Sequence, residues 1–280
     1  MSPRQTRNLA ASVRQRLLTL SRDRTQPFDL ILVRYGSERL LYRLSKSRYA
    51  DRFLLKGAML FVIWTGESHR PTRDIDLLGF DANDTDELAE IFREICRTGV
   101  EPDGLVFSPE TVLVEPIRED AVYAGIRVTM EAKLDSARIP IQVDIGFGDA
   151  VTPGPEEVEF PVLLDLPAPR LRSYPAYTVV AEKLEAMVLR GEANSRMKDF
   201  YDVWFMSSRF EFDGETLVKA IRTTFDRRKT KLPDVVPAAF TQEFATTKTL
   251  QWNAFVRRNR LREEPFTALR PITAKISRRW

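Results

Sequence analysis

Histidine and cysteine are almost missing from this chain: its 280 residues hold one of each, His69 and Cys96. Structural zinc sites need several Cys or His ligands, so a zinc finger is excluded. One thiol cannot build a disulfide framework, which suits a reducing, cytoplasmic setting. A Ser-His-Asp or Cys-His mechanism would have to use His69 alone. Long apolar runs are missing too: the longest, residues 58–64, falls far short of the roughly 20 residues a membrane span needs. With 43% hydrophobic and 30% charged residues the chain reads as soluble and globular, not disordered, collagenous or rod-like. Carboxylates remain as the only metal ligands in quantity, and hard oxygen donors suit Mg²⁺ or Mn²⁺.

The formal net charge of +3 conceals a strong asymmetry. Residues 1–50 hold 11 Lys/Arg against 3 Asp/Glu, residues 81–180 hold 8 against 20, and residues 211–280 hold 15 against 8. Basic ends around an acidic middle point to a polyanionic partner for the ends. The first 24 residues are Arg-rich and superficially like a transit peptide. Leu9, Val13, Leu17 and Leu20 fall at helical spacing, so a surface helix packed on the body is the plainer reading. Without an apolar stretch near the start, secretion is not expected.

Hydrophobic periodicity predicts a helix over 36–48 with its stripe at Leu40, Leu41 and Leu44. A strand follows at 53–55, then a turn at Lys56-Gly57 and a helix over 58–65. A strand over 74–80 and a helix over 84–97 come next, the latter with acids in its first turn where the helix dipole favours them. Strands are expected at 111–117, 123–134 and 139–145; in the second, Ile126, Val128 and Met130 alternate with Arg127, Thr129 and Glu131. Residues 151–176 are proline-rich and read as a crossover with one strand at 162–164. Beyond them the pattern is helical, at 178–190, 195–208, 214–226, 234–246 and 249–260. The expected architecture is α/β (α+β): a mixed sheet followed by a helical C-terminal domain. Its expected bounds are a helical region 1–50, a core 51–155, a Pro-rich connection 156–176 and helices over 177–280.

Chemistry gathers in two places. In Arg73-Asp74-Ile75-Asp76-Leu77, strand alternation aims Asp74 and Asp76 the same way while Ile75 and Leu77 enter the core. Paired carboxylates repel unless a cation lies between them, so Asp-x-Asp on a strand is a natural bidentate for a divalent ion. A solvated strand surface accounts for the pair equally well when it stands alone. Two further features favour the metal. Leu55-Lys56-Gly57-Ala58 makes a strand, a glycine turn and a helix start, which offers N–H groups to phosphate. Asp144 lies on the polar face of a strand whose Ile139, Ile141, Val143 and Ile145 point inward. Three carboxylates can hold metal that activates an attacking oxygen and stabilises a leaving pyrophosphate.

The second place is Lys183-Leu-Glu-Ala-Met-Val-Leu-Arg190 followed by Arg196-Met-Lys198-Asp199-Phe-Tyr-Asp202. Lys183 and Arg190 share a helix face, Lys198 and Asp202 are i,i+4 neighbours, and Arg196 and Asp199 are i,i+3 neighbours. Ion pairs on a helix surface, worth a few tenths of a kcal/mol each, would explain them; so would a charged cleft lining.

Taken in order, Lys-Gly-Ala, Arg-Asp-Ile-Asp-Leu, Val-Asp-Ile, Glu-Lys-Leu-Glu-Ala-Met-Val-Leu-Arg and Arg-x-Lys-Asp-x-x-Asp resemble the AbiEii/AbiGii-type nucleotidyltransferase toxins over roughly residues 36–210. The resemblance implies a polymerase-β-like nucleotidyltransferase core with a helical domain, a partner antitoxin that binds DNA, and transfer from an NTP to an RNA, the tRNA 3′ end being the expected acceptor. By position it implies Asp74, Asp76 and Asp144 as metal ligands. Lys56, Gly57 and Ala58 would form the phosphate turn. Lys183 would reach the triphosphate, with Lys198, Asp199 and Asp202 beside it and Asp199 and Asp202 orienting the lysines or the base. Asp144 is also the group to draw the acceptor's proton. One departure is Ala58, where such turns often carry Ser, so binding there relies on backbone N–H groups. A non-catalytic regulator on the same scaffold, or a protein or small-molecule acceptor, are the alternatives.

Under this reading the basic ends hold RNA: Lys219, Arg222, Arg227, Arg228, Lys229 and Lys231, then Trp252 and Phe255 beside Arg257, Arg258, Arg260 and Arg262, then Arg278-Arg279-Trp280. Cations neutralise phosphates and aromatics stack on unpaired bases. His69 reads as a surface residue and Cys96 as a small core residue.

Overall fold

The computed structural model describes residues 3–66, 70–80, 84–117 and 125–261. His69, Arg262, Arg278, Arg279, Trp280 and residues 123–124 of an expected strand lie outside the described residues. The chain divides into two compact units, one of Met1–Gly148 with Glu156–Ser173, the other of Asp149–Pro155 with Tyr174–Trp280.

The first unit holds helices α1 (Pro3–Asp23), α2 (Phe28–Lys46), α3 (Leu60–Thr65) and α4 (Thr85–Arg97). It also holds strands β1 (Phe53–Lys56), β2 (Asp74–Gly79), β3 (Leu105–Ile117), β4 (Gly125–Leu134), β5 (Ala137–Phe147), β6 (Glu156–Glu159) and β7 (Arg170–Ser173). All seven strands form one mixed sheet in the order β3-β4-β5-β2-β1-β7-β6. The β2–β5 and β1–β7 pairs are parallel and the others antiparallel.

Alternation sorts the two faces of this sheet. Ile126, Val128, Met130 and Ala132 of β4 and Ile139, Ile141, Val143 and Ile145 of β5 are all buried, while Arg127, Thr129, Glu131, Gln142 and Asp144 are half-buried on the opposite face. Helices α1, α2 and α4 pack on the strands from the apolar side. In α4 the buried row Leu88, Ile91, Phe92, Ile95 follows the helical repeat. Its N-cap Asp84 accepts the Glu87 N–H at 2.8 Å. Cys96 is buried there as expected, its Sγ 3.6 Å from Met130 Sδ, and burial pushes its thiol up to about 12.

Helix α2 begins at Phe28, eight residues before the expected start at Gly36. The glycine is a contact point and not a boundary: a Cβ there would come within 3.0 Å of Ile139 Cγ2, so its absence lets the helix lie close on β5. The same helix buries charge. Arg39 and Arg43 meet Asp103 at 3.2 and 2.7 Å, and the Tyr35 hydroxyl donates to the Asp103 carbonyl at 2.6 Å.

The proline-rich stretch also differs from expectation. Residues 162–164 form no strand; the Leu163 N–H donates to the buried Glu38 Oε2 at 3.0 Å instead of to a ladder. Strands β6 and β7 form on either side and extend the sheet.

The second unit holds α5 (Ala176–Arg190), α6 (Met197–Arg209), α7 (Gly214–Arg227) and α8 (Gln242–Asn259). The two helices expected at 234–246 and 249–260 are one helix, α8, preceded by a short 3-10 turn at Ala238–Phe240. Pro237 disfavours helix in the residue before it. Thr241 caps the true start, accepting the Phe244 N–H at 3.2 Å. Thr247 and Thr249 bond back to carbonyls one turn earlier and tie the expected break into the helix.

Candidate active site

The Asp-x-Asp motif sits on β2 as alternation requires, with Ile75 and Leu77 buried and both carboxylates half-buried on the other face. Parallel pairing sets β2 beside β5 so that Asp76 stands opposite Asp144 and Asp74 opposite Gln142. One carboxylate oxygen from each of Asp74, Asp76 and Asp144 can be chosen so that all three lie within 4.8 Å of one another. Thr72 Oγ1 donates to Asp74 Oδ1 at 2.7 Å and steadies it.

Register extends this geometry into a charged row across five strands: Glu115 on β3, Arg127 on β4, Asp144 on β5, Asp76 on β2 and Lys56 on β1. Arg127 grips Asp144 side-on, Nε to Oδ1 and Nη2 to Oδ2, both at 2.8 Å. Gln142 Nε2 lies 3.2 and 3.3 Å from the same two oxygens. Neither Arg127 nor Gln142 was assigned a role from sequence. Counting outward from the two-residue turn Asp135-Ser136 would have set Arg127 opposite Asp144, because a hairpin turn fixes its register.

Gly57 explains itself here. Its φ is +74°, a left-handed conformation that costs other residues strain, and a Cβ on it would lie 1.9 Å from Asp76 Oδ2. The glycine makes room for the carboxylate. The phosphate turn expected at Lys56, Gly57 and Ala58 thus adjoins the triad. It leads through a 3-10 turn, Gly57–Met59, into α3, so the helix expected over 58–65 ends where expected and its first residues are 3-10. Ala58 is buried.

Lys183, Asp199 and Asp202 come together in the helical unit. Lys183 Nζ lies 2.9 Å from Asp199 Oδ1 and 2.7 Å from Asp202 Oδ2, and Arg196 Nε lies 2.8 Å from Asp199 Oδ2. Asp199 and Asp202 are buried, which overturns the picture of solvated surface pairs. Burial pushes the Asp199 carboxyl up, but Lys183 and Arg196 outweigh it and hold the group below its ordinary range. Asp202 pairs with Lys183, while Lys198, four residues before it, is exposed.

Two expected RNA contacts are occupied elsewhere. Arg228 is held by Asp149 at 2.9 Å, Glu182 at 3.3 Å and Glu185 at 2.9 Å. Burial would lower its pKa, yet these three acids raise it. Trp252 is 2% exposed and packs between Tyr201 and Phe255, so it is a core residue and not a stacking platform. Lys219, Arg222, Arg227, Lys229, Arg257, Arg258 and Arg260 are exposed, and Lys231 pairs with Asp234 at 2.7 Å.

The chain belongs to a nucleotide-transferring class. The family model for the nucleotidyl transferase AbiEii toxin of type IV toxin–antitoxin systems matches residues 39–271. The chain therefore belongs to the AbiEii nucleotidyltransferase toxin family, and membership implies an antitoxin partner. Two solved structures are similar. One, an H. pylori protein assigned as a nucleotidyltransferase, has 11% identity and a TM-score of 0.48 over 87% of this chain and 92% of its own. JHP933 from Helicobacter pylori has 12% identity and a TM-score of 0.45 over 89% and 95%. No curated protein matches the chain in sequence. Among the described residues, no helix is long and apolar enough to cross a membrane.

Proposed function

We propose that this chain transfers a nucleoside monophosphate from an NTP to the 3′ end of an RNA, with tRNA as the expected acceptor, and so stops translation in the cytoplasm. The observation that carries the reading is the convergence of Asp74, Asp76 and Asp144 on one face of the sheet within 4.8 Å. Three hard oxygen donors fit Mg²⁺ or Mn²⁺ by donor type and charge. An ion bound there supplies charge neutralisation for the phosphates at the reacting centre.

The chain's own residues do the rest. The acceptor hydroxyl oxygen forms a bond to the α-phosphorus while the bond from that phosphorus to the bridging oxygen of the β-phosphate breaks. Pyrophosphate leaves with the electron pair, and Asp144 takes the hydroxyl proton. Lys56 and the backbone N–H groups at Gly57 and Ala58 meet phosphate beside the triad. Lys183, its ammonium fixed by Asp199 and Asp202, is assigned to the triphosphate, with Lys198 nearby in sequence on the start of α6. The exposed cations of α7 and α8 offer an electrostatic footing for RNA. The partner that neutralises the toxin is expected to be a DNA-binding antitoxin.

Incubation with each α-labelled NTP and total tRNA, in Mg²⁺ or Mn²⁺, tests the reading. Label running with RNA is the expected result. Label on protein would replace the acceptor, and no transfer under any condition would overturn catalysis and favour a binding regulator.

A further inference from the structure

Arg127 is fixed directly to the carboxylate triad, through both oxygens of Asp144 at 2.8 Å. Its side chain is 42% exposed against 17% for Asp144, so the guanidinium has solvent to move into while the carboxylate stays on its strand. On its far side the register sets Glu115 directly opposite. Arg127 therefore stands between two acids on neighbouring strands, and leaving Asp144 does not strand its charge.

A guanidinium and a divalent ion on the same carboxylate repel one another. A carboxylate has about four lone-pair positions, so the conflict is electrostatic and not one of valence. Resting on the reading that the triad holds a divalent ion, we infer that Arg127 is a positioning residue that occupies Asp144 as a resident counter-cation and is exchanged when the ion binds. Before loading, it keeps the third carboxylate aimed and prevents three like charges from splaying the strands. On loading, it releases at least one oxygen of Asp144 and turns toward Glu115 and solvent. The ion's apparent affinity is then lowered by the work of displacing Arg127.

The experiment is Mn²⁺ binding to the full chain, followed by the spin signal of the free ion. It compares the wild type with Arg127→Gln, Arg127→Lys and Asp76→Asn. Gln keeps a hydrogen-bond donor and removes the charge. The exchange predicts that Arg127→Gln binds Mn²⁺ about tenfold tighter, that Arg127→Lys stays within about twofold of wild type, and that Asp76→Asn loses the site. Thermal unfolding gives a second readout: Arg127→Gln melts below wild type without metal and gains more on Mn²⁺ addition. Damage to the fold alone would weaken binding and would not tighten it. Equal or weaker binding by Arg127→Gln, with wild type binding normally, overturns the exchange and leaves the metal site standing. No binding by wild type overturns both.

Discussion

The acidic triad on the sheet and the acidic pair in the helical unit solve the same electrostatic problem in opposite ways. On the sheet, Asp74, Asp76 and Asp144 stand half-exposed on two parallel strands, crowded within 4.8 Å. In the helical unit, Asp199 and Asp202 are buried and share Lys183, and Arg196 joins Asp199. The first centre crowds three acids on a face that solution reaches. The second balances two acids with two cations and is closed. A buried pair left without its partner costs far more than the pair contributes, so the helical centre has to be self-sufficient. The sheet centre stays open to solution, where its crowded carboxylates can meet a divalent ion under the proposed function.

The largest expected effect separates the two directly. Asp74→Asn should cut nucleotide transfer at least about a thousandfold while costing far less stability than the loss of a buried pair, since Asp74 is only half-buried. Lys183→Met should lower unfolding free energy by about 3–5 kcal/mol in urea titrations, because two buried aspartates lose their cation. If the stability losses were reversed, the contrast between the centres would be wrong.

Gly57→Ala tests how tightly the sheet centre is built. The new Cβ would collide with Asp76 and hold a left-handed φ, so stability should fall by about 1–3 kcal/mol and Mn²⁺ should bind less tightly, both measurable on one sample.

The pH dependence of melting sharpens the comparison further. Asp199 has a depressed pKa, so its stabilisation is present above its ordinary value of 3.8 and is lost as pH falls through the lower folded value. Glu38, buried on α2, behaves oppositely. Burial raises its pKa from 4.5 to about 8 against the pull of Arg34 and the Leu163 N–H. Its contribution is complete below pH 4.5 and fades as pH rises through about 8. Glu38→Gln should flatten the alkaline side of the melting profile and leave the acid side unchanged. The smallest effect is on RNA binding: replacing Arg257, Arg258 and Arg260 by Ala should reduce the salt slope for a single strand by about 2.

Much of the sheet centre was legible in the sequence because strand alternation has a strict period. It put Asp74, Asp76 and Asp144 on polar faces before any fold was known, and Ile75 and Val143 inside. The family resemblance pointed to Lys183, Asp199 and Asp202, which spacing alone left as either surface pairs or a cleft lining. What stayed hidden depends on contacts distant in the chain. Strand β6, Glu-Glu-Val-Glu, lies at a sheet edge and carries no apolar pattern. Arg228 looked like one cation in a basic run until Asp149, Glu182 and Glu185 closed around it. Trp252 looked like a stacking ring until Tyr201 covered it. Arg127 differs from these, because the register of its local hairpin alone sets it opposite Asp144.

The most direct test of the central claim is anomalous diffraction from crystals of the full chain soaked in Mn²⁺. The account predicts a peak about 2–2.5 Å from oxygens of Asp74, Asp76 and Asp144. A triad without a peak, or a peak confined to the acids around Arg228, would contradict it.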